Sequence, residues 1–272
     1  MFLPENIDLA YSERYNLSIR LSPNGFSFCI YCPGDPSIFH FQETRLGGKL
    51  SYIDNIKKLI FDLGFFSQAF NQVTVIAVSS YYTLIPDVYM ERGKVDEVFR
   101  FNFHDTSGII LTDDCSPENG IKTLFNMDEE VHSFLSRNLW NPSFHHHSSR
   151  LTHLFKSYQD DKIGKQCFVD FHDQSVTIVC FDGDKLLSTN TFQASDPHDA
   201  TYFIASVWEK LGFDQSTDRL FISGDVESQR TTVDLLRKLI RRVEQVELNP
   251  KVILTEEQKR ALSTDILANL CV

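Results

Sequence analysis

The feature that most restricts the fold of this chain is a pattern that occurs twice. Leu17, Ile19 and Leu21 alternate with Ser18, Arg20 and Ser22. The same two-residue period returns at Phe26, Phe28 and Ile30, and again at Ile38, His40 and Gln42. Period two predicts strands with two unlike faces, and Pro23-Asn24-Gly25 and Pro33-Gly34-Asp35-Pro36 supply the turns between them. After Gly47 and Gly48, the residues Ile53, Ile56, Leu59, Ile60 and Leu63 recur at helical spacing and predict a helix over 50–68. The β-branched run 72–78 then reads as a strand buried on both faces, as in a partly parallel sheet.

Residues 165–223 repeat that order. Cys167, Val169 and Phe171 alternate in one strand, Val176, Ile178 and Cys180 in the next, Asp182-Gly183 marks a hairpin turn, and 186–192 is the third strand. Asp196-Pro197 opens a helix to about Leu211, and 219–223 is the buried strand. Asn16 corresponds to Lys165, Leu50 to His198, and Leu63-Gly64-Phe65 to Leu211-Gly212-Phe213. In both repeats Leu-Gly-Phe closes the helix, with glycine just beyond its end, where left-handed backbone is favoured. The shared order and the shared helix ending predict internal duplication, and so two α/β lobes.

The repeats diverge afterwards. In the second, a helix over 228–243 leads to a strand at 245–248. In the first, 81–118 reads as an inserted subdomain, with a short helix at 94–99 and a strand at 108–112. A strand at 121–125, a helix at 128–138, a strand at 143–147 and a helix at 149–158 complete that lobe. The polar stretch 159–164 marks the boundary, giving lobes 1–160 and 161–272. Thr255 and Gln258 form a capping box for a C-terminal helix carrying Leu262, Ile266 and Leu267.

Composition fits this architecture. At 272 residues and 42% hydrophobic, the chain is long enough for two cores. A net charge of −11 opposes approach to phosphate backbones, so nucleic acid is not an expected partner. No apolar run has the length of a membrane span, and the N-terminus lacks the basic and apolar regions of a signal peptide. A cytoplasmic location is expected, with the six cysteines reduced.

A duplicated βββαβαβα unit resembles the actin-like ATPases, in which two ribonuclease H-like lobes, each a mixed sheet, face a cleft. The first-lobe insertion and the strand-helix-strand-helix finish most resemble the bacterial pilus-assembly and cell-division branch, and the whole chain resembles an uncharacterised bacterial family of this fold, most of all in Tyr81-Tyr82-Thr83-Leu84-Ile85-Pro86-Asp87-Val88-Tyr89-Met90. Active members carry Asp-x-Gly, small residues and Thr in each lobe's first hairpin; the acid holds the nucleotide's metal or water, and the glycines admit phosphate. In the second lobe Asp170 and Thr177 match, while His172 and Gln174 replace glycines. In the first lobe Arg20 stands near the place of the acid. The adenosine-side pair of glycines is reduced to Ser223-Gly224-Asp225.

The resemblance therefore implies a pseudo-ATPase: a non-catalytic actin-like protein acting as an interaction or scaffold module for a protein partner. No cofactor or metal is expected, and neither is ordinary Mg-ATP hydrolysis. The alternative is a weak or regulatory nucleotide-binding protein using the inter-lobe cleft. Its candidate residues are Asp170, His172, Asp173, Thr177, Ser223, Gly224 and Asp225. Arg20, Ser22 and Asn24 are a candidate site for a small anion. A metal-dependent nuclease ranks last, since it needs three or four clustered carboxylates and only Asp170 is well placed.

Three other features read as structural. Cys29 and Cys32 are three apart on a strand, so they face opposite sides and read as buried thiols. His145 and His147 share a strand face, but a metal site would need a third ligand, the nearest in sequence being His153. The helix over 228–243 bears Arg230, Arg237, Lys238, Arg241 and Arg242, which suit either an acidic partner or a solvated face.

Overall fold

The computed structural model describes residues 3–4, 6–90, 94–104, 107–159, 164–172 and 174–271. In the first repeat, β1 (Asn16–Ser22), β2 (Gly25–Cys32) and β3 (Asp35–Arg45) form a meander, followed by α1 (Tyr52–Asp62) and β4 (Gln72–Ala77). Then come β5 (Tyr82–Pro86), α2 (Val95–Asn102), β6 (Ile109–Ser116), β7 (Ile121–Met127), α3 (Glu129–Asn138), β8 (Ser143–His146) and α4 (His147–Tyr158). The second repeat holds β9 (Lys165–His172), β10 (Ser175–Asp182), β11 (Lys185–Gln193), α5 (Pro197–Lys210), β12 (Arg219–Gly224), α6 (Arg230–Leu239) and β13 (Val243–Gln245). The chain ends in α7 (Glu256–Ala261) and α8 (Thr264–Cys271).

The two main sheets have the same order, β3-β2-β1-β4-β8 and β11-β10-β9-β12-β13. In each, the meander strands pair antiparallel and the last two strands join parallel to the first. Parallel pairing requires a crossover, which α1 and α5 provide between the first and fourth strands of each repeat. Each repeat has its own apolar core: Leu17, Ile19, Phe28, Ile56, Ile60 and Val75 in one, and Val169, Ile178, Ile204, Leu220 and Leu236 in the other. The contacts divide the chain into two compact units that interleave in sequence. The first holds residues up to Asp114, Lys122–His147 and Pro250–Leu262; the second holds Cys115–Ile121, Ser148–Asn249 and Ser263 onward.

The twin Leu-Gly-Phe sequences form twin helix ends. Gly64 and Gly212 have φ of 71° and 65°. Phe65 N–H donates to the Ile60 carbonyl at 3.1 Å, and Phe213 N–H to the Trp208 carbonyl at 3.0 Å. Gly64 and Gly212 donate to the carbonyls of Phe61 and Glu209, both at 3.0 Å. These are the two bonds of a Schellman ending, and its apolar residue locks into the core in both cases. Phe65 meets Phe28 edge-on at 5.1 Å, and Phe213 meets Trp208 at 4.7 Å.

Several expected boundaries are corrected. The helix over 50–68 is shorter, because Leu63 caps it and Gly64 turns the chain. The helix over 228–243 ends at Leu239, where Ile240 becomes extended, and the strand expected at 245–248 forms earlier, with Val243 opposite Leu220. The C-terminal helix is two helices, broken where Leu262 turns extended. The strand expected at 121–125 forms as β7 and pairs in a separate three-stranded sheet, β5-β7-β6.

Candidate functional site

Open α/β sheets take ligands at the carboxyl ends of their parallel strands, where loops leave the sheet. In the second unit those ends belong to β9, β12 and β13. Asp170 lies near the end of β9, opposite Ser223 on β12 and Thr177 on β10. It is buried, and Ser223 Oγ donates to its Oδ1 at 2.8 Å. Burial raises the Asp170 carboxyl above its usual range; hydrogen bonds from Thr264 and Ser223 and the charge of His172 oppose the rise, and Asp265 adds to it. Thr264 and Asp265 open α8 and are themselves buried. Asp265 Oδ1 accepts from its neighbours, Ser263 Oγ at 2.5 Å and Ile266 N–H at 2.8 Å.

Gly224 ends β12 with φ 77°. A Cβ at this position would lie 2.1 Å from the Phe171 carbonyl oxygen and 3.0 Å from Asp170 Oδ1. Glycine is therefore required where the chain passes over the acid. The next amide, Asp225 N–H, donates to the Phe171 carbonyl at 3.0 Å. The Asp225 carboxylate turns away to accept from Ser228 N–H at 3.2 Å and Ser228 Oγ at 2.5 Å. Thr177 Oγ1 meets Thr191 Oγ1 at 3.0 Å.

Of the residues singled out from sequence, Asp170, Ser223, Gly224 and His172 thus come together, and Thr177 joins them through the ladder. Asp173 lies outside the described residues. Thr264 and Asp265 were not foreseen, being far along the chain from Asp170. This arrangement buries a carboxyl, which raises it above its usual range, and meets it with hydroxyl donors from the chain itself. Among the described residues no group of three or more His, Cys, Asp or Glu is placed to hold a metal ion.

In the first unit Arg20 and Ser22 are buried on β1, on the face opposite Leu17, Ile19 and Leu21, which enter the core. Arg20 stands across from Ser27 on β2 and Ile76 on β4. Asn24 is in the exposed turn, and its carbonyl accepts from Leu46 N–H at 3.0 Å. Cys29 and Cys32 are buried free thiols; Cys32 belongs to the core, and burial pushes the Cys29 thiol up to about 12.

A second polar cluster forms at the ends of β4 and β8, more deeply buried than a half-exposed strand would be. His146 is fully buried, and its ring Nε2 lies 3.2 Å from the Ser79 carbonyl, which fixes the proton on that nitrogen. Asp113 bridges the segment, accepting the His146 backbone N–H at Oδ2 and meeting His145 Nδ1 at Oδ1, both at 2.9 Å. The rings of Tyr82, Phe125 and His147 pack on His146 with centroids at 4.5, 5.2 and 4.4 Å. Burial, and then the charge of His147, hold His146 well below the usual histidine range. Asp113 was not foreseen; it lies just past the strand expected at 108–112, in a segment of β6 that also carries Thr112 and Asp114.

Two five-stranded sheets of matching order, each an antiparallel meander extended by parallel strands, define the class: the actin-like ATPase fold. The chain is similar to a Bacteroides thetaiotaomicron protein with actin-like ATPase fold and unknown function, with TM-score 0.81, 26% identity, and 98% of this chain and 99% of that chain covered. It is also similar to a chain of the PilM–PilN type IV pilus biogenesis complex, with TM-score 0.60, 13% identity, and 94% and 97% covered. The model of one family, described as Protein of unknown function (DUF3822), matches residues 4–243, and the chain belongs to that family. No curated protein gives a significant match to the sequence.

Proposed function

We propose that this protein is a non-catalytic member of the actin-like fold, a pseudo-ATPase that serves as an interaction or scaffold module. The observation that carries the reading is the internal engagement of Asp170. A nucleotide-hydrolysing site needs an ionised carboxylate open to a metal or water. Here the carboxyl is buried, shifted toward its neutral form, and met by Ser223 and Thr264. Arg20, buried in the corresponding strand of the first unit, supports the same reading, because it brings a cation where hydrolysis would need an acid.

A protein partner is the natural use of such a scaffold. A chain of similar fold belongs to the PilM–PilN complex, where it works with a partner. Exposed apolar side chains support partner binding here: Tyr81, Val88, Tyr89 and Phe101 are all more than half exposed. Nucleic acid does not suit a chain of net charge −11, and the free cysteines suit the reducing cytoplasm. Among the described residues no helix is long and apolar enough to cross a membrane.

One observation favours the alternative, a weak or regulatory nucleotide binder: Gly224 keeps the close backbone approach beside Asp170. Thermal melting with Mg-ATP separates the two. A ligand at about 100 times its Kd adds about 2.7 kcal/mol to a folded state it binds selectively, which raises Tm by several degrees. We expect a shift of less than about 1 °C at millimolar Mg-ATP. A saturable rise of several degrees that is lost in Asp170→Ala would establish the alternative.

A further inference from the structure

We propose that the exposed basic end of α6 is a docking surface for an acidic segment of a partner protein. In a chain of net charge −11, the stretch from Arg230 to Arg242 holds five cations and one acid. The apolar side of α6 is committed to the core through Val233, Leu236 and Ile240. Arg237, Lys238, Arg241 and Arg242 are all exposed, and Leu239 between them is 43% exposed.

The helix dipole accounts for part of this charge and not the rest. Cations in the last turn are favoured, which covers Arg237 and Lys238. Arg230 stands in the first turn, where a cation is disfavoured, and no acid accompanies it there. Arg241 and Arg242 lie beyond the helix end.

The nearby acids do not neutralise the patch. Asp214 accepts from the amides of Ser216 at 2.7 Å and Thr217 at 2.9 Å. Asp218 accepts from Asp214 N–H at 2.7 Å, and Glu244 pairs with Arg219 at 3.7 Å. Among the described residues Arg237, Lys238 and Arg241 make no ion pair within 4.0 Å, Asp234 included.

Three of the four cations are arginines, whose planar forks match carboxylates in pairs. The exposed Leu239 offers an apolar contact among them. Leu239, exposed among the cations, favours a segment that mixes carboxylates with apolar side chains over a phosphate backbone, which offers no apolar contact.

The test is fluorescence anisotropy with a labelled dodecapeptide of glutamates and two leucines, and with a labelled oligothymidylate of equal length. Wild type binds the peptide, with affinity falling as salt rises. Arg237→Glu, Lys238→Glu and Arg241→Glu together weaken it at least about tenfold, while Lys49→Glu, Lys185→Glu and Lys251→Glu together change it less than about threefold. Equal losses in the two triple variants, no peptide binding by wild type, or tighter binding of the oligonucleotide would overturn the proposal. A nucleotide-induced melting shift would remove the non-catalytic reading and leave this surface standing, so the two fail separately.

Discussion

Gly224→Ala is expected to destabilise the protein by about 3–5 kcal/mol, enough to lower Tm by roughly 10 °C. Two terms act together. The backbone at φ 77° costs a residue with a Cβ about 1–2 kcal/mol. The added carbon would also sit 2.1 Å from the Phe171 carbonyl oxygen, a backbone atom that accepts the Asp225 amide and cannot swing aside as a side chain would. Relief requires opening the end of the β9–β12 pair, which also parts Ser223 from Asp170. Gly47→Ala is the matched control, since nothing lies within 4 Å of its added carbon. It should change stability by less than about 0.5 kcal/mol. If both variants melted within a degree of wild type, the close packing of Gly224 over Asp170 would be wrong.

A second large effect is expected from pH, through His146. Its folded-state pKa lies well below 6.5 because the ring is fully buried. The unfolded chain therefore takes up a proton that the folded chain refuses, and stability falls as pH drops below about 6.5, by about 1.4 kcal/mol per unit for one group. Asp170 acts with the opposite sign, since its raised carboxyl favours the folded state in acid and loses that contribution as pH rises above 3.8. The His146 share is isolated by His146→Gln, which keeps a donor for the Ser79 carbonyl and does not titrate. Denaturant unfolding from pH 8 to 5 should show a shallower pH dependence in the variant, by about one proton. Equal slopes would show that His146 titrates normally in the folded protein.

Much of the fold was legible because it rests on local rules. Alternation at Leu17, Ile19 and Leu21 and at Val176, Ile178 and Cys180 marks strands, and Leu-Gly-Phe marks both helix ends through the left-handed freedom of glycine. What failed were boundaries decided by pairing at a distance. The residues after Leu239 keep an apolar rhythm, yet Val243 is drawn into register with Leu220, so the helix stops short.

The site was half legible for the same reason. Asp170, Ser223 and Gly224 stand at strand ends that the repeat predicts, so their meeting follows from topology. Thr264 and Asp265 reach Asp170 only because the C-terminal residues return to the second unit. Asp113 reaches His145 and His146 from a strand outside the repeat. No spacing in the sequence encodes contacts of that kind.

The central claim is that the fold is kept while its hydrolytic chemistry is not. Steady-state release of phosphate from Mg-ATP tests it most directly, with wild type and Asp170→Ala measured side by side. The account predicts that both remain at the rate of the buffer alone. Turnover by wild type that disappears in Asp170→Ala would contradict it, and would make the buried carboxyl a working part of an ATPase.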